Sequence, residues 1–205
     1  MPFLAHPIAA RPAACLMQRV VALASRLRPG EALGYSSPYK RLREYPRNTR
    51  ELTIPTSVAP APVVVYMPDA GKQRPAVHVN FHGGGFVLPQ HGYDDAMCRF
   101  LAAEAGVVVI DVDYVVAPQH TFPAPTRQAF EVVQWVAAQG AEQGWDGKRL
   151  TIGGQSAGGA LAAAVARQAL ELGGPALALQ VLHYPALDLA TPIRKKRSSI
   201  PRPAL

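Results

Sequence analysis

The chain has 205 residues, of which 49% are hydrophobic and 17% charged, a composition that supports one packed domain and excludes a disordered chain. Its formal charge of +7 is uneven: residues 1–50 hold nine Lys/Arg against Glu31 and Glu44, residues 191–205 hold five and no acid, and residues 51–190 hold seven against twelve acids. An acidic body with basic ends, without a basic stripe interleaved with aromatics, argues against nucleic-acid binding.

The longest uncharged apolar stretch in the second half, residues 157–166, falls well short of the roughly 20 residues of a membrane span. Two cysteines, Cys15 and Cys98, make neither a disulfide framework nor a CxxC pair. A cytoplasmic protein without a structural metal is the expectation.

In chain order, the first 29 residues carry a helical pattern with Leu16, Val20, Leu23 and Leu27 on one face, Met17 and Val21 beside them, and Gln18, Arg19 and Arg26 elsewhere. This predicts an amphipathic lid or docking helix, followed by a Pro-, Arg- and Tyr-rich connector over residues 34–50. Residues 51–55 and 62–67 read as an antiparallel strand pair, and 75–81 as a third strand. Helices are predicted over 93–105, 125–139 and 156–172, the last closed by Gly173-Gly174, with strands over 107–114, 149–153 and 177–183. Strands separated by helices of 10–15 residues predict βαβ units and a mostly parallel, doubly wound α/β sheet with helices on both faces. The expected organisation is a helix and connector over 1–50, the α/β core over 51–190 and a basic Pro/Ser-containing tail over 191–205.

Gly154-Gln155-Ser156-Ala157-Gly158 lies between a predicted strand and a predicted helix. A nucleophile must stand clear of the sheet on a strained strand-to-helix turn, and small residues two before and two after it let the backbone turn without collision. The helix that starts there aims its free N–H groups and positive dipole end at developing negative charge. The bland reading of Ser156 is an ordinary helix cap. A second motif weighs against that reading. His82-Gly83-Gly84-Gly85-Phe86 follows the third strand, where an oxyanion loop belongs, and its glycines allow backbone N–H groups to approach a tetrahedral intermediate. No Lys-Ser/Thr follows either glycine cluster and neither fits G-x-G-x-x-G, so a phosphate loop is excluded. His78 and His82 are four apart without the HExxH glutamate, which speaks against a metal site.

With these motifs the sequence resembles the hormone-sensitive-lipase-like branch of the α/β-hydrolases. The matching residues are His82–Phe86, Asp113-Tyr114-Val115-Val116-Ala117-Pro118 with Phe122-Pro123-Ala124, the elbow Gly154–Gly159, and Tyr184-Pro185-Ala186-Leu187-Asp188, in the family's order over roughly residues 50–190. The resemblance implies that Ser156 is the acyl-accepting nucleophile. It also implies that the amides of Gly84, Gly85 and Ala157 form the oxyanion hole, with His82, Gly83, Gly154 and Gly158 shaping it. The first helix would belong to a cap over an acyl pocket. Such enzymes are carboxylesterases that act on small-molecule esters of short to medium acyl chain and need no cofactor or metal. Gln155 stands where the family commonly has Asp, and Val115, Val116 and Gln119 where it commonly has Arg, Leu and Glu.

In this fold the triad runs Ser, then Asp or Glu, then His. After Ser156 the only acids are Glu171 and Asp188 and the only histidine is His183, which precedes Asp188 and reads as a strand-end residue. The expectation is therefore a doubly wound sheet that stops after its sixth strand, with the triad acid and base absent and activity weak or nil alone. The missing part would come from a truncated C-terminal portion or, less simply, a companion chain. Strand 177–183 would then be an uncovered edge and the isolated chain poorly soluble. The rival readings are a non-catalytic small-ligand-binding member of the same fold, as in the plant gibberellin receptors that lack the catalytic His, and a non-functional relic.

Overall fold

The computed structural model describes residues 7–27, 45–69, 74–89 and 92–197. Most of the predicted connector, the end of the basic tail, and His6 and His91 lie outside the described residues.

Three β-rich runs form the centre. β2 (Ala61–Tyr66), β3 (Ala76–Phe81) and β4 (Val108–Val112) are dominated by valine, and all five residues of β4 are buried, as a strand covered on both faces requires. β1 (Thr49–Ile54), β5 (Asp146–Gln155) and β6 (Leu177–His183) complete a six-stranded sheet of order β1-β2-β4-β3-β5-β6. β1 and β2 pair antiparallel, β2 pairs antiparallel with β4, and β4, β3, β5 and β6 run parallel. The antiparallel start and the parallel body match the expectation from sequence.

Helices cover both faces. α3 (Ala124–Ala138) and α5 (Ala157–Leu172) bring Phe130, Val133, Leu161 and Val165 against Val65, Val79, Phe81 and Ile110 of the strands. On the opposite face α2 (Asp95–Ala105) seats Cys98 and Ala102 on Tyr66 and Val109. Gly106 and Gly173 close α2 and α5 at φ 60° and 69°, a left-handed conformation that suits glycine.

The element boundaries differ from the prediction at instructive places. β5 begins before, and ends beyond, the predicted 149–153. Asp146 at its start pairs with Ala76 across a register shift, and Gln155 at its end pairs with His183. β4 stops at Val112, beyond which the Asp113 amide donates to Pro62 O at 3.0 Å and Tyr114 turns inward. A four-residue helix, α4 (Gly140–Gln143), is not legible in the sequence, because it depends on Gly140 lying against Trp145 and Gly147 backbone.

The first helix, α1 (Pro7–Leu27), forms where the helical pattern predicts it. Leu16, Val20 and Leu23 face outward, each more than half exposed at 63%, 57% and 58%. What anchors the helix is its polar side: the Gln18 amide donates to Val87 O at 2.6 Å and Ala117 O at 2.9 Å, and Val21 beside it is buried. Two partly buried carbonyls in loops above the sheet need donors, and one glutamine serves both.

Candidate active site

Register puts the two glycine motifs side by side. Phe81 at the end of β3 pairs with Gly154 near the end of β5, so the loops that leave both strands emerge at the same level of the sheet. The approach is too close for side chains. A Cβ on Gly158 would sit 1.9 Å from Phe81 O and 2.5 Å from His82 O, and one on Gly154 would sit 2.5 Å from Phe81 O. Gly83 faces the elbow from the other loop, where its Cβ would lie 3.7 Å from that of Ser156. Gly154 and Gly158 are therefore required by contact between two backbones.

Ser156 has φ 54° and ψ −115°, a strained conformation for a residue with a side chain. The surrounding backbone holds it there: its amide donates to His183 O at 2.9 Å, and its carbonyl accepts from Ala160 at 3.0 Å and Ala186 at 3.3 Å. It is partly exposed, at the first turn of α5 but outside it, since the helix proper begins at Ala157.

The second loop is built around a turn in which Gly84 O accepts from Val87 and Leu88, both at 3.0 Å. Gly84 and Gly85 have φ 130° and 62°. Among the described residues, the amides of Gly84, Gly85 and Ala157 donate to no acceptor. His82 is buried beneath the loop, stacked on Tyr114 with ring centroids 4.2 Å apart. The Tyr114 hydroxyl donates to His82 O at 2.9 Å, and His82 Nδ1 lies 2.6 Å from Gly83 O, so Nδ1 carries the proton. His82 therefore shapes the loop from below, and Nε2 is 3.8 Å from Asp113 Oδ1.

Sequence reasoning missed a buried polar row on the α2 side of the sheet. Asn80 Nδ2 donates to Asp94 Oδ2 at 2.9 Å and to Asp111 Oδ1 at 2.8 Å. Gln155 Nε2 donates to the other oxygen of Asp94, and the Tyr184 hydroxyl donates to Gln155 Oε1 at 2.6 Å. The available signal was polar residues at alternate positions of buried strands: His78 and Asn80 on β3 with His82 just beyond it, and Asp111 and Asp113 in and just beyond β4.

Burial raises the carboxyl of Asp111 well above the ordinary range, and the neighbouring Asp94 adds to the rise. Asp94 is also raised, chiefly by burial, against the opposing hydrogen bond from Asn80. Burial and then the charge of His183 lower His78 to about 4. The two effects oppose each other in stability. A raised carboxyl makes the native state hold protons that the unfolded chain has released, so its stabilisation is full below the unfolded carboxyl pKa and is lost as pH rises through the folded value. A lowered histidine contributes stability that is present above about 6.5 and lost as pH falls towards 4. Asp111→Asn keeps an acceptor for Asn80 and removes one carboxyl, so its stability relative to wild type should increase from pH 5 to pH 8. Urea midpoints at the two pH values measure this, and a constant difference would show that Asp111 does not titrate with folding.

No hydrogen bond joins the Ser156 hydroxyl to an imidazole among the described residues. His183 ends β6 as expected, and its charge is felt by Asp94 and His78. Among the described residues no cluster of His, Cys, Asp or Glu could hold a metal ion, and no helix is long and apolar enough to cross a membrane.

Comparison with known proteins agrees with this architecture. A family model described as the alpha/beta hydrolase fold matches residues 78–203. Esterase LipI of Mycobacterium tuberculosis is 35% identical over 162 residues, covering 75% of this chain and 51% of that protein. Carboxylesterase NlhH of the same species is 37% identical over 142 residues, covering 68% of this chain and 44% of that one. Among solved structures, an esterase of Pyrobaculum calidifontis superposes with a TM-score of 0.75 at 32% identity, covering 88% of this chain and 56% of that one. The chain spans about half the length of the curated relatives it matches. With the sheet order, the glycine-bound elbow and the family match in agreement, this chain belongs to the α/β-hydrolase fold family.

Proposed function

We propose that the protein hydrolyses carboxylic esters of short to medium acyl chain by acyl transfer to Ser156, in the cytoplasm. Ser156 Oγ attacks the ester carbonyl, the amides of Gly84, Gly85 and Ala157 take up the oxyanion, the protonated alcohol leaves, and water releases the acid from the acyl-enzyme. No cofactor enters the reaction. The observation that carries this reading is the strained Ser156 beside amides that no described acceptor occupies. Donors held in advance where charge develops are worth about 10²–10³ in rate each.

Acyl transfer also needs a base for the serine proton. In this reading a longer form of the chain or a companion chain supplies the histidine and its acid partner, because among the described residues no imidazole is bonded to the Ser156 hydroxyl. The test uses the native protein that carries the Gly154–Gly159 peptide. An alkyl fluorophosphonate should add one phosphonyl group to Ser156, and hydrolysis of p-nitrophenyl butyrate should fall in parallel. An unmodified Ser156 in protein that saturably binds a small ligand would overturn catalysis in favour of a binding role.

A further inference from the structure

We infer that Asp94 is a positioning residue for the nucleophile turn, acting through Gln155 on Tyr184, and that position 155 must therefore donate one hydrogen bond and accept another. The inference rests on the esterase reading above and adds a residue to it.

Gln155 immediately precedes Ser156, so any force on its side chain reaches the strained turn through one peptide bond. Its amide is used at both ends: N–H to Asp94, carbonyl from the Tyr184 hydroxyl at 2.6 Å. Asp94 is fixed in turn by Asn80 at 2.9 Å, and Asn80 by Asp111 at 2.8 Å, so the relay begins in the sheet and ends at the surface. With Asp94 ionised the directions follow from the acid. Asp94 accepts from the Gln155 amide N–H, which leaves the Gln155 carbonyl to accept from Tyr184, and a side chain with both functions stands between them.

Tyr184 belongs to the segment that braces the turn from outside. His183 O on one side of it takes the Ser156 amide, and the Ala186 amide on the other gives to Ser156 O. Between these two bonds Tyr184 has φ 37°, a left-handed conformation that a side chain disfavours, and its ring is 67% exposed beside the turn. Its bond to Gln155 ties that exposed ring to the buried relay.

A carboxylate is common at this position in the family the sequence resembles, yet here it would be the wrong side chain. It could still accept from Tyr184, but towards Asp94 it would present a second acceptor and a second negative charge. Asp94 is faced by Asn80 on β3, Asp111 on β4, Tyr114 beyond β4, Gln155 on β5, His183 on β6 and Cys98 on α2. With Gln155 replaced, only the Asn80 amide and the more distant His183 charge face two adjoining carboxylates and the buried acid Asp111, so the pair at 94 and 155 is driven to share a proton.

Three proteins test this: wild type, Gln155→Asp, and Asp94→Asn/Gln155→Asp, in the native form used above. The rate of Ser156 phosphonylation and kcat/KM on p-nitrophenyl butyrate are followed from pH 5 to pH 9. Gln155→Asp should lose about tenfold or more at pH 8 and recover relative to wild type towards pH 5, as the pair takes up its proton. The double variant should return to within about threefold of wild type at both ends, because the amide placed at position 94 then donates to the carboxylate placed at position 155. A Gln155→Asp profile parallel to wild type, or a double variant no better than the single one, would overturn the inference.

Thermal midpoints at pH 5 and pH 8 separate this from the esterase reading. Should wild type neither react with the phosphonate nor hydrolyse the ester, the esterase reading fails. The pairing of 94 with 155 then stands only if the Gln155→Asp midpoint deficit grows with pH and vanishes in the double variant.

Discussion

Gly158→Ala is expected to leave almost no folded protein. The new methyl carbon would lie 1.9 Å from Phe81 O and 2.5 Å from both His82 O and Phe81 C, all of them backbone atoms at the end of a central strand. A flexible side chain can swing away from such a contact, whereas β3 is held by β4 and β5 on its two sides. Relief would require α5 to pull off the sheet, breaking the contact of Leu161 and Val165 with the core. A cost on the order of 4 kcal/mol or more follows, enough to exhaust much of the stability of an ordinary domain. Gly173→Ala gives the comparison. There the added carbon meets nothing within 4 Å and only the left-handed φ of 69° is strained, which costs about 1 kcal/mol. Urea unfolding of the two variants separates backbone collision from backbone strain, and equal losses would show that the loop and turn are not locked together as the structure has them.

That contrast explains which parts of the fold were readable in the sequence. Apolar runs such as Val63-Val64-Val65 and Val108-Val109-Ile110 mark buried strands by composition alone, and the helix between Pro123 and Gln139 is marked by its period. The extension of β5 to Asp146 carries no such mark, because Asp146 joins the sheet through Ala76, far away in the chain, across a register shift that passes over Gly147 and Lys148. α1 shows the same limit in what its sequence does not mark. Its apolar stripe is real, but the part of the molecule it touches offers carbonyls, and Gln18 satisfies them while Leu16, Val20 and Leu23 face outward.

The site divides in the same way. Motif spacing located Ser156 and the His82–Phe86 loop because both must be small and turn sharply whatever surrounds them. Spacing could not supply Asp94, which lies 61 residues from Gln155 and reaches it only through the sheet. Gln155 looked like the loss of a charge beside the elbow. In the structure it exchanges a charge for an amide that serves Asp94 and Tyr184 together.

Ser156→Gly is expected to remove the chemistry and make the protein more stable. The serine sits at φ 54° and ψ −115°, where a side chain costs about 1–2 kcal/mol and glycine costs little. Glycine gives back part of this through its freer unfolded chain, leaving a net gain of roughly 0.5–1 kcal/mol, a rise of about 1–4 °C in Tm for a chain of this size. Ser156→Ala keeps the strain and should match wild type in Tm. Both variants should lose phosphonylation entirely and about 10⁴–10⁶ of kcat in the native protein, since removing a nucleophile abolishes the acyl-enzyme route. Calorimetry and ester hydrolysis on the same two variants make the comparison. If Ser156→Gly melted no higher than Ser156→Ala, the backbone at 156 would not be strained. A stable, inactive glycine variant would mean that folding energy is held at this turn to keep the hydroxyl clear of α5.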